Sequence, residues 1–523
     1  MDRLRIIAKR ERYNLALLIA IWSIYVVHVV PGGGVNPNRY FDLIHSMIHQ
    51  HTLTIDAYHE NTIDKAFKDG HFYSAGLPGP SVFGVPAYLV FEGLYKLVPN
   101  RWLAPLSSIQ SYKQGAAGGF YQQDNLEFFL STIWITWFTL SLFSALSTVV
   151  IFRLFSKLGL PSYVSIVTAV IYSFGTPVFF FSTSYFSHVF NASMIILVLY
   201  LLFSKTMKAE LAAVPVGFLA GLTILIEYQG LIFISAIGLY IWYRYGHKKV
   251  LYYSCGVGIP LCLLLLYNYS TLGSPFALPH QWLADNNRDK VHGIGLLGFT
   301  LPRIDHLIGL LILPEQGLFF YSPILMLAPV GWFRAYRSAD TKIRDLSMLS
   351  LLATIPILLW ISSYADWRGG ATFGPRQIVS TLPFFMVGVA FGIQRIPRLV
   401  WIPLLAISIL TNWLGAQYGF AKDVFEHWKT FSTQGFALPS MLAIVSHSRS
   451  SNSLVLLVSH YSWVIDICYL LLAIIVGATC IRVAQFTQRS GQPQVFPVSS
   501  SGSTSRETQS HVLPGLADQM KKQ

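Results

Sequence analysis

The sequence predicts an all-α membrane protein with about twelve transmembrane helices, on three observations of composition and pattern. Of its 523 residues, 53% are hydrophobic and 12% are charged, and the mean hydropathy is +0.50. Soluble domains are about 45 to 50% apolar and about 25% charged, so the charged share is roughly half the usual one. Lysine and arginine occur in short clusters between long apolar runs, a pattern that orients helices in a bilayer.

The first span follows five basic residues at the N-terminus, Arg3, Arg5, Lys9, Arg10 and Arg12. The apolar run from Asn14 to Val30 has no small-residue cleavage site after it, so we interpret it as an uncleaved span with a cytoplasmic N-terminus. Basic clusters after later runs predict the other cytoplasmic ends. The remaining spans are predicted at 127–152, 162–181, 189–204, 211–227, 229–243, 250–268, 317–333, 346–363, 379–394, 400–418 and 464–481.

One further apolar stretch, Ser81–Pro99, would break the alternation of charge if it crossed the membrane. It contains Gly84 and Pro86, and it carries Glu92 and Lys96 four residues apart. We therefore predict an interfacial or re-entrant helix on the outer leaflet. The segments assigned to the outer face are 31–126, 182–188, 269–316, 364–378 and 419–463.

A single membrane domain, residues 1–488, is the simplest organisation of this chain. The tail 489–523 is rich in Ser, Thr, Gln and Gly, which predicts a disordered cytoplasmic end. The net charge of +13 does not indicate nucleic-acid binding, because the basic residues flank the apolar runs. We find no phosphate-binding Gly-Lys-Ser/Thr loop, no nucleophile elbow and no Cys-x-x-Cys pair. These absences from the sequence argue against ATP-driven and thiol chemistry.

The first outer segment, 31–126, concentrates acids, histidines and tyrosines. Apolar residues repeat there at helical spacing and predict a short amphipathic helix lying on the membrane. The repeat consists of Tyr40, Leu43, Ile44, Met47 and Ile48. This helix would direct Asp42, His45 and His49 along a neighbouring face.

Three carboxylates of this segment, Asp42, Asp56 and Asp64, are candidates for a general base acting on a hydroxyl, provided that a donor phosphate is held nearby. Each is also compatible with a helix cap or a surface acid. His45, His49 and His51 are compatible with a metal site, because histidines four residues apart on a helix face the same way. Histidines that simply solvate a polar loop are the alternative, and we assign no metal site.

Several landmarks occur in a particular order along the chain. The first are Arg39-Tyr40, Met47, an Asp-rich stretch, and Pro78-Gly79 opening an apolar helix. The later ones are Tyr172–Pro177 with His188, Gln316–Leu318 before Ser322-Pro323, and Trp367–Gly370 before Gly374–Arg376. In this order, over about Arg39 to Pro383, the chain resembles the phospholipid-carrier-dependent glycosyltransferases of the GT-C superfold. Protein mannosyltransferases and aminoarabinose transferases are members of that group.

The resemblance implies a reaction: inverting transfer of a sugar from a polyprenyl-phosphate donor to an acceptor on the outer side of the membrane. The implied location is a bacterial-type plasma (inner) membrane, with both termini cytoplasmic. The implied partners are the lipid bilayer, the polyprenyl-phosphate-linked sugar and an envelope glycan, lipid or protein; nucleic acid is not among them. No cofactor is assigned, and assistance by a divalent cation, Mg²⁺ or Mn²⁺, is left open.

Two positions depart from the pattern of the resembled group. Its members commonly place an Asp-Glu pair before Arg-Tyr, where this chain has Asn36-Pro37, and often carry a Lys where this chain has Gly76. Either Asp42, Asp56 or Asp64 substitutes for the usual base, or the chain keeps the scaffold with a different chemistry.

Substrate-binding candidates follow from chemistry and position. Arg376 is the preferred phosphate ligand, with Arg368 nearby, because a guanidinium binds phosphate oxygens bidentately; an interfacial anchor is the alternative for Arg376. Glu227 is expected at the outer tip of a hairpin, as a sugar-hydroxyl acceptor or as a turn residue. The other candidates are Arg39, Tyr40, His71, Tyr73 and His188. A polar patch at Trp282–Asp289 suggests a lid on the acceptor side.

Two other function classes compete with transfer. A secondary transporter or flippase of a lipid-linked substrate fits a twelve-span count, although the ionisable residues crowd the outer face. A non-catalytic carrier-binding protein on the same scaffold is the second alternative. Convergence of the three carboxylates with Arg376 on a cavity open to the outer leaflet would favour transfer, and scattered carboxylates would favour binding.

Overall fold

The computed structural model describes residues 2–29, 34–108, 125–204, 209–285, 294–295, 298–314, 316–370, 372–418, 471–472, 474–483 and 485. The predicted tail, residues 464–470 and 473 of the last predicted span, and Asn286–Asp289 of the predicted lid lie outside these residues. Helices dominate the described residues, and the only sheet among them is one two-stranded hairpin. The prediction of an all-α membrane fold is confirmed.

The helices are numbered here in chain order. The first nine are α1 (Asp2–His28), α2 (Val35–His45), α3 (Gly79–Tyr95), α4 (Asn100–Leu103), α5 (Leu126–Lys157), α6 (Ser162–Phe174), α7 (Val178–Thr183), α8 (Ser187–Ser204) and α9 (Ala213–Ile226). The others are α10 (Gly230–Tyr245), α11 (His247–Leu272), α12 (Ile304–Leu311), α13 (Leu318–Tyr321), α14 (Ala328–Tyr336), α15 (Thr341–Ser362), α16 (Leu382–Ile393), α17 (Arg398–Tyr418) and α18 (Ile474–Val483).

Six helices among the described residues are long and apolar enough to cross a membrane. They are α5, α8, α11, α15, α17 and Arg376–Ile393, which contains α16. Shorter apolar helices, α6, α9 and α10, occupy further positions where the sequence predicts spans. The chain is therefore a multi-pass membrane protein, and the total of twelve spans stays a prediction.

Two of the predicted spans are broken rather than continuous. The span at 162–181 is divided into α6 and α7 by Gly175-Thr176-Pro177. The span at 317–333 is divided by Ser322 and by a 3₁₀ turn that begins at Pro323. Proline lacks the N–H that continues a helix and clashes with the preceding turn, which explains both interruptions.

The amphipathic helix predicted in the first outer segment exists as α2, but it does not lie on a surface. Tyr40, Leu43 and Ile44 are at most 1% exposed, and so is Asp42 on the predicted polar face. The helix packs between α3, the two-stranded hairpin and the start of α5. The prediction from the helical repeat that it lies on the membrane surface is therefore wrong.

The helix predicted at 81–99 corresponds to α3 and the helical segment Asn100–Ser107, whose axes differ by 113°. Such a bend is expected of a re-entrant or broken element. At its start, a Cβ on Gly79 would lie 2.5 Å from the carbonyl oxygen of Leu225. This close approach holds the first outer segment against the end of α9. The segment therefore lies beside the turn between α9 and α10.

A β-hairpin that the sequence analysis did not predict precedes α3. Strand β1 (Lys65–Lys68) pairs antiparallel with β2 (His71–Ser74) through the turn Asp69-Gly70, where φ is 52° and 85°. Asp-Gly at positive φ is a strong signal for a two-residue hairpin. The hairpin turns the polar loop into a rigid wall beside α2.

Candidate functional site

A cavity of about 450 Å³ lies at one end of the helix bundle. Its wall includes the start of α8, the turn between α9 and α10, the end of α15 and the 3₁₀ turn Arg376–Thr381 before α16. The first outer segment closes it from the side. The polar residues of the lining that matter most are Asn36, Arg39, Asp64, His188, Glu227 and Arg376.

An ion pair between Arg39 and Asp64 forms one side of the cavity. An Arg39 guanidinium nitrogen lies 2.7 Å from Asp64 Oδ2, and the Asn36 amide donates to the same oxygen at 3.0 Å. The other terminal nitrogen of Arg39 donates to the Tyr40 hydroxyl at 2.7 Å. Burial lowers the pKa of Arg39, but Asp64, the Tyr40 hydroxyl and Glu227 together more than offset this, so the pKa is raised overall.

Gly76 makes room for this ion pair. A Cβ at position 76 would lie 2.7 Å from Arg39 Nε and 2.7 Å from a ring carbon of Tyr40. A side chain at this position would therefore displace the guanidinium. The resembled transferases often carry a lysine at this position. Here the position is adjacent to the Arg39 cation, so a larger side chain has no room and glycine is present instead.

Glu227 lies at the centre of the cavity wall and is only 8% exposed. Its carboxylate accepts from Ser187 Oγ at 2.9 Å and from Asn191 Nδ2 at 3.0 Å, and it is paired with His188 Nδ1. Burial raises its pKa, but His188 and the two donors more than offset this, so the pKa is lowered overall. Glu227 does lie in the turn between α9 and α10, but that turn is covered by α8 and the first outer segment.

A chain of hydrogen bonds ties the Glu227 turn to the segment that carries Arg376. The Gln229 amide donates to the carbonyl of Gln377 at 2.8 Å and accepts from Ser380 Oγ at 2.9 Å. Gln377 in turn donates to the carbonyl of Asp366 at 2.6 Å. Arg376 itself lies 5.8 Å from the ring centre of Phe186. These bonds fix the spacing between Arg376 and Glu227.

The remaining wall is aromatic and apolar. The Phe299 ring stacks on Trp360 with centroids 5.3 Å apart and on Tyr364 at 4.8 Å. Leu231 also lines the cavity and is 57% exposed on the outside of the bundle. The cavity therefore joins a charged interior to an apolar rim at the bundle surface.

Six of the predicted site residues meet at this cavity: Arg39, Tyr40, Asp64, His188, Glu227 and Arg376. The other predicted site residues do not line it. Asp56 accepts from the backbone N–H of Phe72 and is paired with His71 at 2.8 Å, on the partly exposed side of the hairpin. Burial raises the pKa of Asp56, but these two contacts more than offset it.

Asp42, Tyr73 and Arg368 also lie away from the cavity lining. Asp42 is buried, and its Oδ1 accepts from Asn61 Nδ2 at 3.0 Å. Burial raises the pKa of Asp42 well above its ordinary value. Arg368 lies over the ring of Trp367 at 4.6 Å. Of the three predicted carboxylates, Asp64 alone converges with Arg376. The convergence of all three that would favour transfer is therefore not met, and the case for transfer rests on Asp64.

Several site residues were not found by the sequence analysis, among them Ser187, Asn191, Gln229 and Gln377. A signal exists only for Ser187 and Asn191, which lie four residues apart and flank the predicted His188 on one helix. Among the described residues, no three His, Cys, Asp or Glu side chains are grouped so that they could hold a metal ion. His45 and His49 contact Ser131 and Tyr88 instead.

Comparison with known proteins gives structural matches only. No family model and no curated protein sequence matches this chain. The crystal structure of ArnT from Cupriavidus metallidurans bound to undecaprenyl phosphate is 14% identical, with a TM-score of 0.50, over 91% of this chain and 74% of ArnT. An oligosaccharyltransferase from Archaeoglobus fulgidus, tethered to an acceptor peptide, is 12% identical, with a TM-score of 0.46, over 82% of this chain and 60% of that one.

The likeness to ArnT defines the class of fold. ArnT has the GT-C fold. This chain is accordingly a multi-pass membrane protein with the GT-C fold, as its landmarks predicted.

Proposed function

We propose that this protein is a glycosyltransferase that moves a sugar from a polyprenyl-phosphate donor to a cell-envelope acceptor. The observation that carries the proposal is the cavity itself, which combines two arginines and three carboxylates, Asp64, Glu227 and Asp366, with an apolar rim. A polyprenyl-phosphate sugar has three parts that need different surroundings: an apolar tail, an anionic phosphate and a hydroxylated sugar. The cavity supplies surroundings for each part within one continuous space.

The phosphate is assigned to the arginine side. Arg376 and Arg39 both line the cavity, and guanidinium groups bind phosphate oxygens in a fixed, bidentate geometry. The tail is assigned to the rim formed by Leu231, Phe299 and Trp360, since apolar surface favours leaving water. The solved ArnT structure contains undecaprenyl phosphate, and a shared fold makes the same kind of lipid the first donor to test.

The sugar is assigned to the space beside Glu227 and His188. The carboxylate of Glu227 is held by two donors from α8 and is paired with His188, so it offers a fixed acceptor for sugar hydroxyls. Its lowered pKa keeps it charged at neutral pH. We assign Glu227 to orienting the substrate.

Asp64 is assigned as the general base. In the proposed step, the acceptor hydroxyl oxygen bonds to the anomeric carbon while the bond from that carbon to the phosphate oxygen breaks. The hydroxyl proton passes to Asp64, and the electron pair of the broken bond leaves with the phosphate, whose charge the arginines stabilise. A single displacement of this kind inverts the anomeric centre.

The cavity is assigned to the outer side of a bacterial-type plasma membrane. The helices that meet at the cavity carry basic residues at their opposite ends: Arg244 ends α10, Arg344 begins α15 and Arg395 follows α16. An excess of Lys and Arg marks cytoplasmic ends. This orientation also places the N-terminus in the cytoplasm, and the acceptor is then an envelope glycan, lipid or protein.

The proposal is tested by sugar transfer with the full-length protein in nanodiscs, using a panel of radiolabelled undecaprenyl-phosphate sugars and envelope extracts. Transfer from one donor is expected, and Asp64→Asn is expected to lower it by about 10² to 10⁴-fold, the usual contribution of a general base. Binding of undecaprenyl phosphate should be retained by that variant.

Asp305→Asn is the matched control, because Asp305 is an exposed carboxylate on α12 that pairs with Arg303 away from the cavity lining. Asp42→Asn and Asp56→Asn test the other two sequence candidates. If one of these variants loses transfer while Asp64→Asn remains active, the role of general base belongs to the residue changed in that variant and not to Asp64. Lipid-phosphate binding without transfer from any donor would instead support a carrier-binding protein or a flippase.

A further inference from the structure

The turn between α9 and α10 contributes three consecutive side chains to the cavity: Glu227, Tyr228 and Gln229. Two of them are held in place by other parts of the protein. Glu227 is held by α8, and Gln229 bridges to Gln377 and Ser380. The backbone of the turn is closed by a hydrogen bond from Gly230 N–H to the Glu227 carbonyl at 2.9 Å. Tyr228 is thus presented from a rigid support.

The hydroxyl of Tyr228 is buried and has no hydrogen-bond partner among the described residues. Leaving a buried hydroxyl without a partner is unfavourable, so most such groups in folded proteins are satisfied. Because Tyr228 lines the cavity, a bound ligand can supply the partner that the protein does not. The Tyr228 hydroxyl is thus a candidate hydrogen-bond donor to a ligand in the cavity.

The surroundings of Tyr228 favour an anionic ligand atom. Burial raises the pKa of Tyr228, and Arg39 is near enough to oppose that rise through its charge. The hydroxyl therefore stays protonated and can donate at neutral pH. The His280 ring lies 6.2 Å from the Tyr228 ring, centre to centre. A neutral donor beside a guanidinium matches a phosphate oxygen better than a sugar hydroxyl.

We propose that Tyr228 donates a hydrogen bond to a phosphate oxygen of the lipid-linked substrate, next to Arg39. This inference rests on the proposed function, since it specifies a contact in the same cavity. Tyr228 is a binding residue in this assignment, and it fixes the phosphate at the boundary between the charged interior and the apolar rim. No bond is made or broken at its hydroxyl.

The test uses full-length protein in nanodiscs and compares the binding of undecaprenyl phosphate with the binding of undecaprenol, which lacks the phosphate. Tyr228→Phe is expected to weaken undecaprenyl phosphate binding by about 10-fold or more, as for a hydrogen bond to a charged group. Undecaprenol binding should stay unchanged. The ligand-free melting temperature should be unchanged or higher, because the substitution removes an unpartnered buried hydroxyl.

The matched control is Tyr267→Phe. The Tyr267 hydroxyl is also buried with no partner among the described residues, but Tyr267 does not line the cavity. The same chemical change should leave both lipids bound as in the wild type. Equal affinity of Tyr228→Phe and wild type for undecaprenyl phosphate would overturn the inference and leave the proposed function standing. Failure of the wild type to bind undecaprenyl phosphate at all would overturn both.

Discussion

At the scale of single residues, the candidate carboxylates differ in their burial and in their hydrogen-bond and ion-pair partners. Asp64 is nearly buried, and its Oδ2 receives donors from Arg39 and Asn36. Asp56, eight residues earlier, remains partly exposed and is paired with His71. The hairpin separates them, because its inner end faces the cavity and its turn extends away from it.

Asp42 is the exception, since one carboxylate oxygen accepts from Asn61 and the other, Oδ2, has no hydrogen-bond partner among the described residues. Burial raises its pKa well above the ordinary value. Above the unfolded pKa, the folded state then holds more protons than the unfolded state, so stability falls as pH rises towards the folded pKa.

Asp42→Asn is therefore expected to raise the melting temperature at pH 8, because it replaces a carboxylate that burial disfavours in its charged form. The expected gain is about 1 to 3 kcal/mol, the usual penalty for an unpartnered buried polar group. The measurement is thermal unfolding in detergent at pH 5 and pH 8, with wild type in parallel. A loss of stability at pH 8 equal to that at pH 5 would show that the charged form is stabilised in the fold.

At the scale of elements, short turns rather than long helices bring the functional groups together. The turn between α9 and α10 is three residues long, and all three side chains line the cavity. Gln229 links it to the segment before α16. Gly79 links α3 to the same end of α9 through a close backbone approach.

Gln229→Leu is expected to lower stability by about 1 to 3 kcal/mol, because the Gln377 carbonyl and the Ser380 hydroxyl lose their partner in a buried place. Transfer should fall further than stability alone explains, since Arg376 directly precedes Gln377 and loses its fixed spacing from Glu227. The measurements are melting temperature and the transfer assay, with Ser235→Ala on the exposed face of α10 as control. Unchanged transfer in Gln229→Leu would show that Arg376 is positioned by other contacts.

At the scale of the whole molecule, the bundle separates a functional end from a basic end. The cavity lies where α8 begins and α15 ends, whereas Arg334 and Arg337 lie at the turn between α14 and α15. This polarity is the basis for proposing that the cavity faces the envelope and the basic end faces the cytoplasm.

Cysteine labelling in intact cells tests this polarity. In a background without the four native cysteines, Leu301→Cys, on the cavity end and 83% exposed, should react with a membrane-impermeant maleimide. Ala339→Cys, exposed at the basic end, should react only after permeabilisation. The reverse pattern would place the cavity in the cytoplasm and exclude an envelope acceptor.

The sequence alone determined the class of the fold and six residues of the cavity. Apolar runs of about 20 residues and flanking basic clusters are local signals, because the bilayer imposes them on each segment separately. Arg39-Tyr40 and His188 were selected because the order of landmarks resembles the GT-C transferases, and Arg376 because a guanidinium lies where the chain re-enters the membrane.

Only the tertiary structure decided which groups meet. The burial of α2, the selection of Asp64 over Asp42 and Asp56, and the partners of Glu227 all depend on contacts between segments far apart in the chain. Such contacts carry no local sequence signal. The residues around an acid that precedes a helix are the same whether another segment of the protein or water surrounds its side chain. Packing supplies the donors that make Glu227 a buried charge and leaves the Tyr228 hydroxyl without one.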